Sequence, residues 1–168
     1  MTRTETIAFY RAHSHRLYNM SYRILLSRED AEEVMQDTIL KYLALPLPPI
    51  KEQQVSAWLA HTCIRASIDR LRKRKRESEF LQEYAYESAR MSGTEEDIPV
   101  EATAEQILSA MQKLDDPYRL VLTLNLVEGL DYQEISQYTG LKEVTLRSHI
   151  LRGKKKLIEL LKQDGKQI

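Results

Sequence analysis

The side chains of this chain that could do chemistry are mostly cations. Arg70, Arg72, Lys73, Arg74, Lys75 and Arg76 crowd into one short run. Lys142, Arg147, Arg152, Lys154 and Lys155 form a second group, spread at helical spacing. Guanidinium and ammonium groups at this density bind phosphate oxygens, the guanidinium in a bidentate fork. Groups suited to covalent chemistry are sparse. Cys63 is the sole cysteine, and His13, His15, His61 and His149 are scattered. The "HSH" of 13–15 has no carboxylate or thiol at metal-ligand spacing. There is no Gly-rich phosphate loop and no nucleophile elbow. The pattern points to binding of a polyanion rather than to an enzyme, and it needs no cofactor.

Charge is segregated along the chain, although its 168 residues carry a formal net charge of zero. Residues 65–76 sum to +6, residues 77–105 to −8, residues 142–168 to +5 and residues 27–37 to −4. Solvated helix faces usually mix both signs, so one-sided blocks indicate separate partners. A single cysteine allows no internal disulfide, which suits a reducing compartment. The amino-terminal stretch has no apolar core of a signal peptide. No run approaches the roughly 18–20 apolar residues that span a bilayer. A cytoplasmic protein is expected.

The cations must be carried by helices. Gly and Pro number five each, and Leu, Glu, Lys, Arg, Ala and Gln, all good helix formers, dominate. The pattern predicts a helix over about 5–26, with Ile7, Phe9, Tyr10, Leu17, Met20, Ile24 and Leu25 among its apolar positions. Ser27 with Asp30 resembles a capping box and opens a second helix, about 28–45. Its stripe is Ala31, Val34, Met35, Thr38, Ile39 and Tyr42, and "LPLPP" ends it. A third helix starts near Glu52, with Val55, Leu59, Cys63 and Ala66 inward, and runs into the basic stretch. Residues 77–104 lose this regularity and predict an acidic linker.

Beyond the linker, Ile107, Leu108, Met111 and Leu114 predict one helix, and 118–128 a second, closed by Gly129. Asp131 and Glu134 again suit a capping box. A short helix over 132–138, a "TGL" turn and a longer helix over 143–161 follow. Ile135, Leu141, Leu146 and Ile150 would fill the wedge of a helix-turn-helix. The second helix would expose Lys142, Glu143, Thr145, Arg147, Ser148, His149, Arg152, Lys154 and Lys155 to nucleic acid. The fold class is all-α, with two small helical domains over 1–76 and 105–168 joined by a linker over 77–104.

Three segments in this order resemble the extracytoplasmic-function (ECF, group IV, sigma-70-like) sigma factors of bacterial RNA polymerase. "REDAEEVMQDTILKYL" (28–43) is similar to regions 2.1–2.2 and "AWLAHTCIRASIDRLRKRKR" (57–76) to regions 2.3–2.4. "KLDDPYRLVLTLNLVEGLDYQEISQYTGLKEVTLRSHILRGKKKL" (113–157) is similar to region 4. The resemblance implies a promoter-recognition subunit. Asp30, Glu33, Gln36 and Asp37 would dock on the β′ clamp helices of core RNA polymerase. Trp58, Arg65, Arg70, Arg72, Lys73, Arg74, Lys75 and Arg76 would meet the −10 element. Lys142, Thr145, Arg147, Ser148, Leu151, Arg152, Lys154 and Lys155 would meet the −35 element, with the β flap behind. It also implies control by an anti-sigma factor, which can hold such a protein at the membrane, and no small-molecule substrate. Two departures bear on promoter preference. Arg65 stands where the family usually has Asn, and Val144-Thr145-Leu146 stands where it has Gly-Thr-Val. A helix-turn-helix regulator acting without polymerase is the alternative.

Overall fold

A computed structural model of the chain describes residues 1–74 and 97–166, with side chains through Asp164. All regular elements among these residues are helical. They fall into two compact units, within 1–74 and within 75–168. Lys75, Arg76 and most of the predicted linker, 77–96, lie outside the described residues.

The first unit is a three-helix bundle of α1 (Arg3–Leu25), α2 (Arg28–Leu43) and α3 (Glu52–Arg74), each packed on the other two. Thr2 and Glu5 form a full capping box, so α1 begins before the predicted start. It ends at Leu26, whose φ of 52° puts a non-glycine residue in the left-handed region. That conformation costs about 1–2 kcal/mol, and it reverses the chain in two residues, since Ser27 already caps α2. The Ser27–Asp30 box is one-sided. Ser27 Oγ accepts from the Asp30 N–H at 3.2 Å, while the Asp30 carboxylate is drawn to Arg70 and Arg74 instead. Helix α2 stops at Leu43 rather than Leu45, because Leu45 precedes Pro46 and the α conformation is disfavoured there.

The core of this unit contains Leu17, Met20 and Ile24 of α1, the whole predicted stripe of α2, and Val55, Leu59, Cys63, Ile68 and Leu71 of α3. Two expectations shift. Ile7 and Tyr10 are exposed, while Phe9 between them stacks on Tyr42 of α2. Ala66 is half-buried, while Ile64 and Ser67 are buried. Burying Ser67 requires a polar partner. Its Oγ lies 2.8 Å from Ser21 Oγ and 2.8 Å from the Cys63 carbonyl.

The second unit holds α4 (Ala104–Met111), α5 (Asp116–Leu122), α6 (Tyr132–Thr139) and α7 (Glu143–Lys166). The predicted helix over 118–128 is interrupted. After α5 the chain widens into a π-helical turn over Thr123–Val127, where the Glu128 N–H reaches the Thr123 carbonyl at 3.0 Å. Gly129 follows with φ of 71°, and Asn125 Nδ2 donates to the Leu130 carbonyl at 3.0 Å. Arg119, only 4% exposed, ties the start of α5 together. It donates to the Leu114 carbonyl at 3.0 Å and to Asp116 at 2.6 Å.

Helices α6 and α7 form the helix-turn-helix. Asp131 and Glu134 cap α6 reciprocally, and Gly140 takes φ of 78° in the turn. Ser136 Oγ donates to the Leu141 carbonyl across the turn. Ile135, Leu146 and Ile150 are fully buried and Leu141 nearly so, as the wedge requires. Helix α7 crosses α5 at Gly153, where a Cβ would come 3.2 Å from the Leu122 side chain.

Candidate nucleic-acid interface

The outward face of α7 is set by its inward one. Leu146, His149, Ile150, Gly153 and Leu157 are buried. Opposite them, at three- and four-residue spacing, come Val144, Arg147, Ser148, Leu151, Arg152 and Lys155. Lys142, Val144, Arg147 and Lys155 are exposed, and Thr145, Ser148, Leu151, Arg152 and Lys154 are half-buried. The side chains of Lys142, Arg147 and Lys155 engage no partner among the described residues, so their donors are available. Of the predicted outward set, His149 is turned in. It is fully buried against the Tyr118 ring, 5.9 Å away between centroids. Its Nδ1 donates to the Thr145 carbonyl at 3.1 Å, and its Nε2 has no hydrogen-bond partner among the described residues. Burial holds the imidazole pKa below its ordinary value, opposed by the Thr145 hydrogen bond and helped by the Arg152 charge. An imidazole buried in this way is out of reach of a phosphate, and its burial disfavours the cationic form.

Helix α3 divides its cations between two roles. Gln53, Ala57, His61, Arg65, Asp69 and Lys73, four residues apart, make one exposed ridge. Arg65 and Lys73 engage no partner through hydrogen bonds or ion pairs among the described residues. Arg70 and Arg74 turn the other way, onto α2. Arg70 Nη1 lies 3.1 Å from Asp30 Oδ1 and 3.0 Å from Glu33 Oε2. Arg74 Nη2 lies 2.7 Å from Asp30 Oδ2, and its Nη1 donates to the Leu25 carbonyl at the end of α1, 2.6 Å away. The Arg74 hydrogen bond is the main cause that holds the Asp30 carboxyl below its usual range. The Arg70 hydrogen bond does the same for Glu33. Arg72 is half-buried.

Two groups predicted to meet different partners therefore neutralise each other inside one bundle. Asp30 and Glu33 stand on the predicted polymerase face, and Arg70 and Arg74 on the predicted −10 face. A pairing across 40 and 44 residues of sequence has no local signal. Gln36 and Asp37 remain exposed, with Gln36 3.4 Å from Glu32. Trp58 is half-buried, edge-on to Tyr42 at 5.6 Å, and Tyr42 stacks on Phe9 at 4.7 Å. Among the described residues no cluster of His, Cys, Asp and Glu could hold a metal ion. No described helix is long and apolar enough to cross a membrane.

The family model for sigma-70 region 2 matches residues 9–77, and that for sigma-70 region 4 matches residues 104–157. The ECF RNA polymerase sigma factor SigM of Bacillus subtilis is 30% identical over 146 residues, spanning 83% of this chain and 86% of SigM. The chain belongs to the ECF RNA polymerase sigma factors. The region 2 match in this sigma factor takes in α2, α3 and all but the first turns of α1. The region 4 match begins with the first residue of α4. ECF sigma factor SigE of Mycolicibacterium smegmatis is 27% identical over 94% of this chain, which spans 62% of SigE. The sigma factor RpoE of Bartonella quintana, solved in complex with the anti-sigma factor NepR, shares the fold. It aligns with a TM-score of 0.56 at 19% identity over 94% of this chain and 97% of that one. Sigma factors in general are not enzymes.

Proposed function

We propose that this ECF sigma factor is a dissociable subunit that brings core RNA polymerase to a restricted set of promoters. The observation that carries this reading is the pairing, in family order, of a region 2 bundle with a region 4 helix-turn-helix whose outward face holds the exposed cations Lys142, Arg147 and Lys155. Residues 1–76 dock on the β′ clamp helices through α2 and meet the −10 element through α3. Residues 105–168 sit on the β flap and present α7 to the −35 element, and the acidic stretch 77–104 connects them. The chain supplies no covalent chemistry of its own.

The division of cations on α3 refines the region 2 assignment. Arg65 and Lys73 face outward and are available to DNA, whereas Arg70 and Arg74 hold α2 in place. Asp30 is half-covered by the two arginines, so Gln36 and Asp37, with the exposed edge of Glu33, offer the freer acceptors for a basic polymerase surface. Control by an anti-sigma factor is part of the proposal. It is supported by the RpoE of like fold, which was solved bound to one. Such a partner would keep the chain in the cytoplasm or at the inner face of the membrane.

Run-off transcription tests the proposal. Core polymerase with this chain should initiate at discrete sites that share two spaced elements, and core alone should not. Binding to DNA without any redirection of core polymerase would instead make the chain a polymerase-independent regulator.

A further inference from the structure

The helix-turn-helix presents one residue that its charge does not explain. Val144 is 80% exposed in the first turn of α7. Among the described residues, the large apolar side chains more exposed than Val144, Leu47, Ile50 and Val100, lie outside helices. Local stability does not favour valine here, since a β-branched residue is a mediocre helix former. The core does not use it either, because Val144 lies opposite the inward residues Leu146, Ile150 and Gly153.

Its neighbours define what it faces. Arg147 and Ser148 stand three and four residues on, on the same side, with Leu151 and Lys155 further along. The Ser148 hydroxyl donates to the Val144 carbonyl at 3.3 Å, so Arg147 is the free donor beside Val144. The first turn of the second helix in a helix-turn-helix is the part that reaches base edges in the major groove. That groove offers hydrogen-bonding groups at all base pairs but only one apolar group, the 5-methyl of thymine. An isopropyl group placed among polar base edges would lose water for nothing; placed against that methyl it buries apolar surface on both sides.

We propose that Val144 is a specificity residue whose isopropyl group reads the 5-methyl group of a thymine in the −35 element. The inference rests on the assignment of α7 to that element. Arg147, one turn away, places a guanine contact on a neighbouring base pair, so the element pairs a guanine with an adjacent thymine on either strand.

The test uses holoenzyme and promoter duplexes in which each −35 thymine, on either strand, is replaced singly by deoxyuridine. This removes one methyl group and leaves every hydrogen-bonding edge in place. One replacement should weaken binding about fourfold, equivalent to ~0.8 kcal/mol for one methyl group. Holoenzyme carrying Val144→Ala should be indifferent to that replacement while keeping its preference for guanine. Uniform tolerance of deoxyuridine by the unaltered protein would overturn the proposal. So would equal sensitivity in the Val144→Ala variant, or an element with no thymine. Scrambling the whole element and Arg147→Ala separate the two levels. If both leave binding unchanged, the −35 assignment itself fails and the Val144 proposal with it. If both weaken binding but deoxyuridine does not, only the Val144 proposal fails.

Discussion

Replacing Arg74 with Ala should destabilise the amino-terminal bundle, although Arg74 belongs to a run that looks devoted to DNA. Its guanidinium spans two other helices, donating to the Leu25 carbonyl at 2.6 Å and to Asp30 at 2.7 Å. A charged donor on a carbonyl contributes roughly 1.5 kcal/mol. The ion pair, with both side chains about a third exposed (33% and 30%), is screened and adds only about 0.5 kcal/mol. The sum, about 2 kcal/mol, corresponds to a fall of roughly 8–16 °C in the melting temperature of a domain this small. Trp58 is the only tryptophan and packs against Tyr42 within the bundle, so its fluorescence follows that domain in the full chain. Lys73→Ala provides the contrast. Lys73 is exposed and has no partner among the described residues, so its loss should change stability by less than about 0.5 kcal/mol. Where Lys73 contacts a promoter phosphate, the salt dependence of the holoenzyme complex should flatten by about 0.7–0.9 in logarithmic slope. An Arg74→Ala melting temperature within about two degrees of the parent, together with a flattened salt slope, would refute the argument.

Three further outcomes are expected. Gly153→Ala should change stability in thermal unfolding by less than about 1 kcal/mol, because the helix-propensity gain of about 1 kcal/mol offsets the small shift that the new Cβ would force on Leu122 at 3.2 Å and Tyr118 at 3.4 Å. Asp131→Ala should remove about 1 kcal/mol by uncapping α6, seen in chemical denaturation, with Asp131→Asn retaining most of it. Stability should fall on acidification through His149. Its folded-state pKa lies below the ordinary value of 6.5, so the unfolded chain binds the extra proton first. The contribution is then complete above about pH 6.5 and is lost as pH falls through the folded pKa. A His149→Gln variant with the parent's slope of stability against pH would contradict this assignment.

Most of the fold is legible in the sequence because helical periodicity is a local signal. The α2 stripe of Ala31, Val34, Met35, Thr38, Ile39 and Tyr42 is buried as its spacing predicts, and the wedge of the helix-turn-helix is filled by the expected four residues. The differences arise where one signal meets another. Asp30 looks like half of a capping box, and tertiary attraction to two arginines overrides that local role. The family resemblance groups Arg70 and Arg74 with Lys73 as −10 contacts, while their positions on the helix turn them onto Asp30 and Glu33 of α2. His149 carries a polar ring at a position whose phase is inward, and phase decides. The π-helical turn after Leu122 has no compositional marker beyond the glycine that follows it.

The buried thiol gives the amino-terminal bundle a chemical clock. Cys63 is fully enclosed, with its Sγ 3.5 Å from the Leu17 carbonyl, and the chain has no other cysteine. A thiol-specific reagent can therefore react only when α1 and α3 part. Where reclosing outpaces labelling, the rate reports the equilibrium fraction of open bundle and ignores the other half of the chain. Any partner that grips only the closed bundle slows the reaction by a factor of one plus the ratio of its free concentration to its Kd. One alkylation time course, with and without polymerase or an anti-sigma factor, would thus weigh the hold of each on this half of the molecule alone.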